Sequence, residues 1–443
     1  MLKIMFGWGL GTLCMSLMFQ AVSLLILRYL VDYVGLAAGL AGLLIGLGKV
    51  YDAVTDPLMG AISDRTHSRF GRRRPYLLLG SLVSALSFVL LFNLAQFVDW
   101  APSLLLGMVV VALLLNATGY TIFNVPYLAM PAEMGLGFHE RTRLMSFRAA
   151  AVAIGGVSAT AGGPFLIGAF GGGVGGYGSM AWVLGGVILI AGLACTAMMR
   201  WAPSDIPPKP TQFSLTAQFQ TAWQNKPFML LLGVKVGHLV GLAIYLASMP
   251  FFFGVILQVP LTYLGSYFLV QSSFILLSQL FWVKFTARVG KNRAYYLAAA
   301  FYILALFSWQ LAEAGASFFE IALRAVFTGT GAGGVLLIGQ SLLPDTMQYD
   351  YQRTGLRREG VFAGVYTTIE KLSFAVGPAV LGLLLGWAGY VGGADAIQTE
   401  ASREVITAGV SILPGLGITL AALIMTRYRL DANQLESSPK TSQ

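Results

Sequence analysis

Apolar residues fall along this chain in long runs with short polar breaks between them. A bilayer core about 30 Å thick takes roughly 20 apolar residues of helix to cross, and the sequence lays out twelve such runs. Helix is the form they must take, because inside hydrocarbon each backbone N–H and C=O has to be satisfied within its own segment. The first run covers residues 5–31, the second goes from Gly35 to Ile62, and the third and fourth span 75–97 and 103–130. The first is too long for the apolar core of a signal peptide, so it is read as a membrane helix.

The breaks predict how the runs are grouped. Residues 201–226 form the one long linker, which divides the chain into a six-helix bundle over 1–200, a second over 227–427 and a polar tail over 428–443. Within the linker, Leu215, Phe219, Ala222 and Trp223 recur at helical spacing among polar residues, which predicts a short helix lying in the membrane interface. The halves carry a short echo of one another. Phe70-Gly71-Arg72-Arg73-Arg74-Pro75-Tyr76 follows the second run, and Val289-Gly290-Lys291-Asn292-Arg293-Ala294-Tyr295 follows the eighth. In that register Gln271 stands where the first half has Asp52. The expected fold is therefore all-α and membrane-integral, with twelve transmembrane helices in two pseudo-symmetric six-helix bundles. Gly171 to Gly178 lacks the Lys-Ser/Thr ending of a phosphate loop and reads as a turn between the fifth and sixth helices.

Polar residues inside the runs mark the candidate chemistry. Lys49, Asp52 and Asp56 lie three and four positions apart in the second run, so all three project from one helix face. A charge at the centre of a membrane helix costs roughly 2.5 to 3.5 kcal/mol on insertion scales and normally faces a bundle interior or a watery cavity. Two carboxylates one turn apart repel each other when both are ionised, so either one holds a proton or a cation sits between them. Pro57 adds a free carbonyl at Ala53. In the fourth run, Thr118, Tyr120, Thr121, Asn124 and Pro126 form a polar, proline-broken stripe, a second candidate wall of the site. Gln340 of the tenth run and the Tyr366 to Lys371 stretch of the eleventh are further polar positions. Lys371 needs an anion, and the carboxylates deep enough in the other half are Asp52 and Asp56, so it is expected to reach across the interface between the halves. Lys49 and Glu370 complete the expected charge network.

Composition agrees: 56% of the 443 residues are hydrophobic and 11% charged, with a mean hydropathy of +0.73. The net charge of +9 does not indicate nucleic acid, because most of the 28 lysines and arginines fall in the termini and in loops on one face. By the positive-inside rule that face, with both termini, is cytoplasmic. The most basic loop runs from Arg65 to Arg74, and Asp64, Arg65, Gly71 and Arg72 form its expected gating motif. Cys14 and Cys195 fall inside apolar runs and read as buried structural thiols. No Walker motif or catalytic triad supports an ATP-driven carrier or an enzyme.

The stretch from Tyr51-Asp52 through Asp56-Pro57, Gly60, Asp64-Arg65 and Phe70-Gly71-Arg72-Arg73-Arg74-Pro75-Tyr76 resembles the signature of the glycoside-pentoside-hexuronide:cation symporters. These belong to the major facilitator superfamily, with melibiose permease as the familiar member. Asn124-Val125-Pro126-Tyr127 and Ile369-Glu370-Lys371 are similar to motifs of that family's helices 4 and 11, so the resemblance covers the whole chain. It implies that Asp52 and Asp56 bind the coupling cation, helped by Thr55 and Thr121. It implies a basic residue beside the site at Lys49, a lysine linked to cation and substrate at Lys371, and a substrate-site arginine at Arg148. Where melibiose permease grips sugar hydroxyls with aspartates in helices 1 and 4, this chain has Ser16 and Asn124, and Leu128 replaces an aromatic.

Together these readings predict a secondary transporter working by alternating access, a symporter of a small organic solute with a sugar or glycoside as first expectation. Ser16, Tyr120, Asn124, Arg148, Gln340 and Lys371 are its candidate substrate residues. The alternatives are a carrier of a non-sugar amphiphile such as a lysolipid, peptide or drug, and a transport-inactive membrane sensor or assembly partner. The coupling ion is expected to be Na⁺, Li⁺ or H⁺, with no cofactor and no metal beyond a Na⁺ at Asp52 and Asp56. The expected partners are the small-molecule substrate and membrane lipid, with no nucleic acid. The protein is expected as a monomer in the bacterial inner membrane.

Overall fold

A computed structural model describes residues 1–134, 137–202, 222–355, 358–393, 396–428 and 430. Its described residues contain twelve helices long and apolar enough to cross a membrane. The first six are α1 (Leu2–Tyr33), α2 (Ala38–Arg65), α3 (Arg74–Leu91), α4 (Pro102–Pro131), α5 (Thr142–Ala169) and α6 (Gly173–Trp201). The second six are α7 (Lys226–Ile256), α8 (Leu261–Val289), α9 (Lys291–Leu311), α10 (Phe318–Thr354), α11 (Val361–Trp387) and α12 (Glu400–Met425). An even number of spans leaves residues 1 and 428 on one face, called here the terminal face. Most of the proposed linker and tail, including the expected interfacial helix at Leu215 and Phe219, lies outside the described residues.

Helices α1 and α7, the first of each half, are the most buried spans. Each ends in a π-helical turn, Tyr29–Tyr33 in α1 and Phe252–Ile256 in α7. The echoed loops also correspond. Gly71 and Gly290 both take positive φ, 92° and 86°, a conformation that costs a side-chain-bearing residue roughly 1–2 kcal/mol. Each is followed by a basic side chain that pairs with an acid at the terminal-face end of the fourth helix of its half: Arg73 with Glu133 at 2.7 Å and Lys291 with Asp345 at 2.5 Å.

Three expectations are corrected. The first helix runs past both ends of 5–31, and the third stops at Leu91, its remaining apolar residues forming a short 3₁₀ turn at Leu94–Phe97. The helix containing α4 is not broken at Pro126 but continues from Pro102 to Glu133. Tyr127 beside that proline stacks on Trp8 with ring centroids 3.8 Å apart and its hydroxyl donates to the Trp8 carbonyl, so packing against α1 holds the backbone helical. Arg28, only 6% exposed, donates to Asp32 one turn on at 2.9 Å.

The halves meet on the side away from the termini. Helix α2 crosses α11 along Gly39, Gly42 and Gly46, where a Cβ on Gly42 would stand 2.4 Å from the Pro378 carbonyl. Gly168 meets Thr262 and Gly265 meets Ala161 between α5 and α8. At the far end Arg28 also donates to the Pro250 carbonyl of α7, and Tyr390 donates to Asp32 at 2.9 Å. The glycine run of α10 packs closely within its own half, Gly331 against Tyr302 and Gly334 against Trp282, and the two cysteines are free and buried.

Candidate cation and substrate site

Asp52 and Asp56 point from one face of α2 because they are four residues apart on a continuous helix, with Pro57 tolerated inside it. Asp52 is 2% exposed. The Thr121 hydroxyl of α4 lies 3.0 Å from Asp52 Oδ1 and 2.9 Å from Asp56 Oδ1. A hydroxyl has one proton to give, so it satisfies one of these oxygens and leaves the other facing a lone pair. A proton on one carboxyl, or a cation drawn between the oxygens, removes that conflict. The arrangement can accommodate one added positive charge.

A positive charge from the other half already stands there. Lys371 of α11 forms an ion pair with Asp56 Oδ2, as expected, and its ammonium lies 5.5 Å from the Tyr120 ring. Lys49 lies in the same pocket as Asp52, on the expected helix face, but makes no ion pair there. It has no carboxylate within ion-pair distance among the described residues, and its ammonium sits 4.5 Å from the ring centre of Phe19. Both Lys49 and Asp52 line a cavity of about 30 Å³ between α1, α2 and α4, together with Phe19, Asn116 and Tyr120. That volume suits a water or a small ion, since one water needs roughly 10–15 Å³ on this measure.

The remaining candidates divide. Tyr120 is central: it lines the cavity with Lys49 and Asp52, and the Lys371 ammonium lies 5.5 Å from its ring. Arg148 is half-buried with no carboxylate within ion-pair distance, and Asn124 is half-buried with no hydrogen-bond partner among the described residues. Thr55 does not reach the carboxylate oxygens. Its hydroxyl donates back to the Tyr51 carbonyl at 3.0 Å and leaves only lone pairs to offer. Ser16 donates to the Val152 carbonyl of α5 at 3.0 Å, which ties α1 to α5. Gln340 is exposed on α10 and contacts none of these groups among the described residues. Glu370 does not join Lys49 in one network but pairs with Lys235 of α7 at 3.0 Å, because neighbouring positions on a helix point about 100° apart and Lys371 takes the direction toward α2.

At the terminal face, Asp64 accepts from Arg72 at 3.0 Å and from Arg73 at 2.5 Å, and Gly71 makes the turn between them. Arg65 is exposed and forms no ion pair among the described residues, whereas Arg73 is buried and shared between Asp64, Ser63 and Glu133. Arg73 was legible as part of the basic run but Glu133 sat in a loop with no pattern to single it out. Asn116 was also missed. It stands one turn before Tyr120 in an apolar run, and that spacing was a usable signal.

The sequence profile of the family described as MFS/sugar transport protein matches residues 7–432. A putative glycoside/cation symporter of Escherichia coli (strain K12), YagG, is 26% identical over 96% of this chain and 92% of its own length. An isoprimeverose transporter of Lactiplantibacillus pentosus is 22% identical over 96% of this chain and 88% of its own. The crystal structure of a D-xylose-proton symporter superposes with a TM-score of 0.67 at 14% identity, covering 96% of this chain and 97% of that one, which shows a common fold.

Proposed function

Because the chain belongs to the MFS/sugar transport protein family, as its second-helix signature led one to expect, we propose that it is a cation-coupled symporter of a glycoside. The observation that carries this reading is the Thr121 hydroxyl held between two carboxylates, with Lys371 of the opposite half paired to one of them. The relatives named for glycoside/cation symport and for isoprimeverose support the substrate class.

The mechanism follows from charge. With the site empty, Lys371 neutralises Asp56 and ties α11 to α2. Na⁺, Li⁺ or H⁺ arriving at Asp52 and Asp56 competes for the same oxygens, releases the ammonium and loosens that tie. The freed Lys371 is then available, with Arg148 and Tyr120, to bind a polyhydroxylated solute. The positive-inside pattern supports a cytoplasmic terminal face in a bacterial inner membrane.

The test is uptake of radiolabelled glycosides, isoprimeverose first, into right-side-out vesicles under an imposed Na⁺ or proton gradient. Concentrative uptake is expected in the wild type. Asp52→Asn and Asp56→Asn are expected to abolish it at normal expression, and full accumulation by both variants contradicts the proposal.

A further inference from the structure

Glu370 is the most accessible carboxylate near the middle of the bundle, its side chain 46% exposed against 23% for Asp56. One of its oxygens, Oε2, accepts from Lys235, which is 8% exposed and rests on the Tyr366 ring, 2.9 Å from its centre. Oε1 has no partner among the described residues. Glu370 belongs to the second half and directly precedes Lys371 on α11, whose ammonium pairs with Asp56 of the first half and lies 5.5 Å from the Tyr120 ring.

The hydrogen-bonding inventory around these groups is lopsided. Arg148 and Lys371 donate only. Asp52 is 2% exposed, and Asp56 is paired with Lys371 and shares the Thr121 hydroxyl with Asp52. Ser16 has turned its proton to Val152. A polyol brings as many O–H donors as oxygens, and each donor buried without an acceptor costs about 1–3 kcal/mol. Oε1 of Glu370 is the one charged acceptor that is both free and accessible there among the described residues.

We infer that Glu370, held in place by Lys235, is the substrate-site residue that accepts a hydroxyl of the glycoside. Lys235 fixes the carboxylate through Oε2 and leaves Oε1 to the solute, so Lys235 is a positioning residue. The inference rests on the glycoside reading above. A staple between α7 and α11 needs the same ion pair but no accessible oxygen, and the two roles separate by experiment.

The full-length protein in detergent is titrated with isoprimeverose, methyl β-glucuronide and methyl β-glucoside, with Na⁺ and at acid pH, and binding is read as thermal stabilisation. Glu370→Gln keeps an amide for Lys235 but loses the charged acceptor. The exchange Lys235→Glu with Glu370→Lys keeps the staple and moves the carboxylate to α7. At least one probe is expected to stabilise the wild type, and Glu370→Gln is expected to bind it about tenfold or more weakly. The exchange is expected to restore the sugar-free melting temperature and not the binding. Wild-type affinity in Glu370→Gln, or binding that returns with the exchange, overturns the inference. A wild type that answers to cations through Asp56 and to none of the sugars overturns it as well, while the cation reading stands.

Discussion

Thr121 carries one proton and faces two carboxylates, and the chemistry of the site turns on that mismatch. Thr121→Val removes the hydroxyl and keeps the shape. Cation activation of uptake is expected to weaken about tenfold, in line with a hydrogen bond to a charged group, with Thr121→Ser close to wild type; equal activation curves for Thr121→Val and wild type exclude the role. The acids, Lys371 and its reach to Asp56 were legible in the sequence, because an ionisable group in an apolar run has few places to find a partner. The company kept by Thr55, Ser16 and Glu370 was not. Each sits at a position whose helix face is clear, yet a hydroxyl able to bond its own backbone, or a side chain with a partner on an unforeseen helix, leaves no mark on spacing.

At the scale of elements, α2 carries both the crossing with α11 and the paired acids. One stretch of it packs on α11 through Gly39, Gly42 and Gly46, and the Asp56–Lys371 pair follows on the same side. A branched side chain at Gly42 meets the Pro378 carbonyl and has to push the helices apart, at a cost of about 1–3 kcal/mol for an overpacked contact. Gly42→Val is expected to lower the melting temperature by several degrees and to weaken the closure of the far side. An unchanged melting temperature means the crossing is looser than described. Run lengths gave away all twelve spans, but the prolines misled: Pro126 reads as a break in isolation, and only the stack of Tyr127 on Trp8 shows why the helix carries on. The π-helical turns of α1 and α7 had no sequence signature at all.

Across the whole molecule, the far face is closed by a buried charge. Arg28, Asp32, the Pro250 carbonyl and Tyr390 join α1 to the second half, and Arg28 comes so near α7 that a Cβ on Gly254 would lie 2.2 Å from its guanidinium. Removing one partner of a buried pair typically costs about 3–5 kcal/mol, and here the cost falls on the closed state, where Arg28 cannot reach water. Asp32→Asn is expected to expose the far side, read as faster reaction of a Val31→Cys reporter with a membrane-impermeant thiol reagent in a background lacking Cys14 and Cys195. No change in labelling would assign the pair to packing alone. The division into similar halves was visible from one short echo, and the matching Gly71 and Gly290 turns give it a structural basis.

The central claim is that Asp52, Asp56 and Thr121 hold the coupling cation in exchange for Lys371. It is tested most directly by the melting temperature of the purified protein in Na⁺, Li⁺ or choline across the pH range from acid to mildly alkaline, in wild type and Asp56→Asn. Stabilisation by an alkali cation, or a dependence on pH in its place, is predicted for the wild type and is predicted to vanish in the variant. The same response in Asp56→Asn, or no response to any cation or to pH in the wild type, contradicts the account.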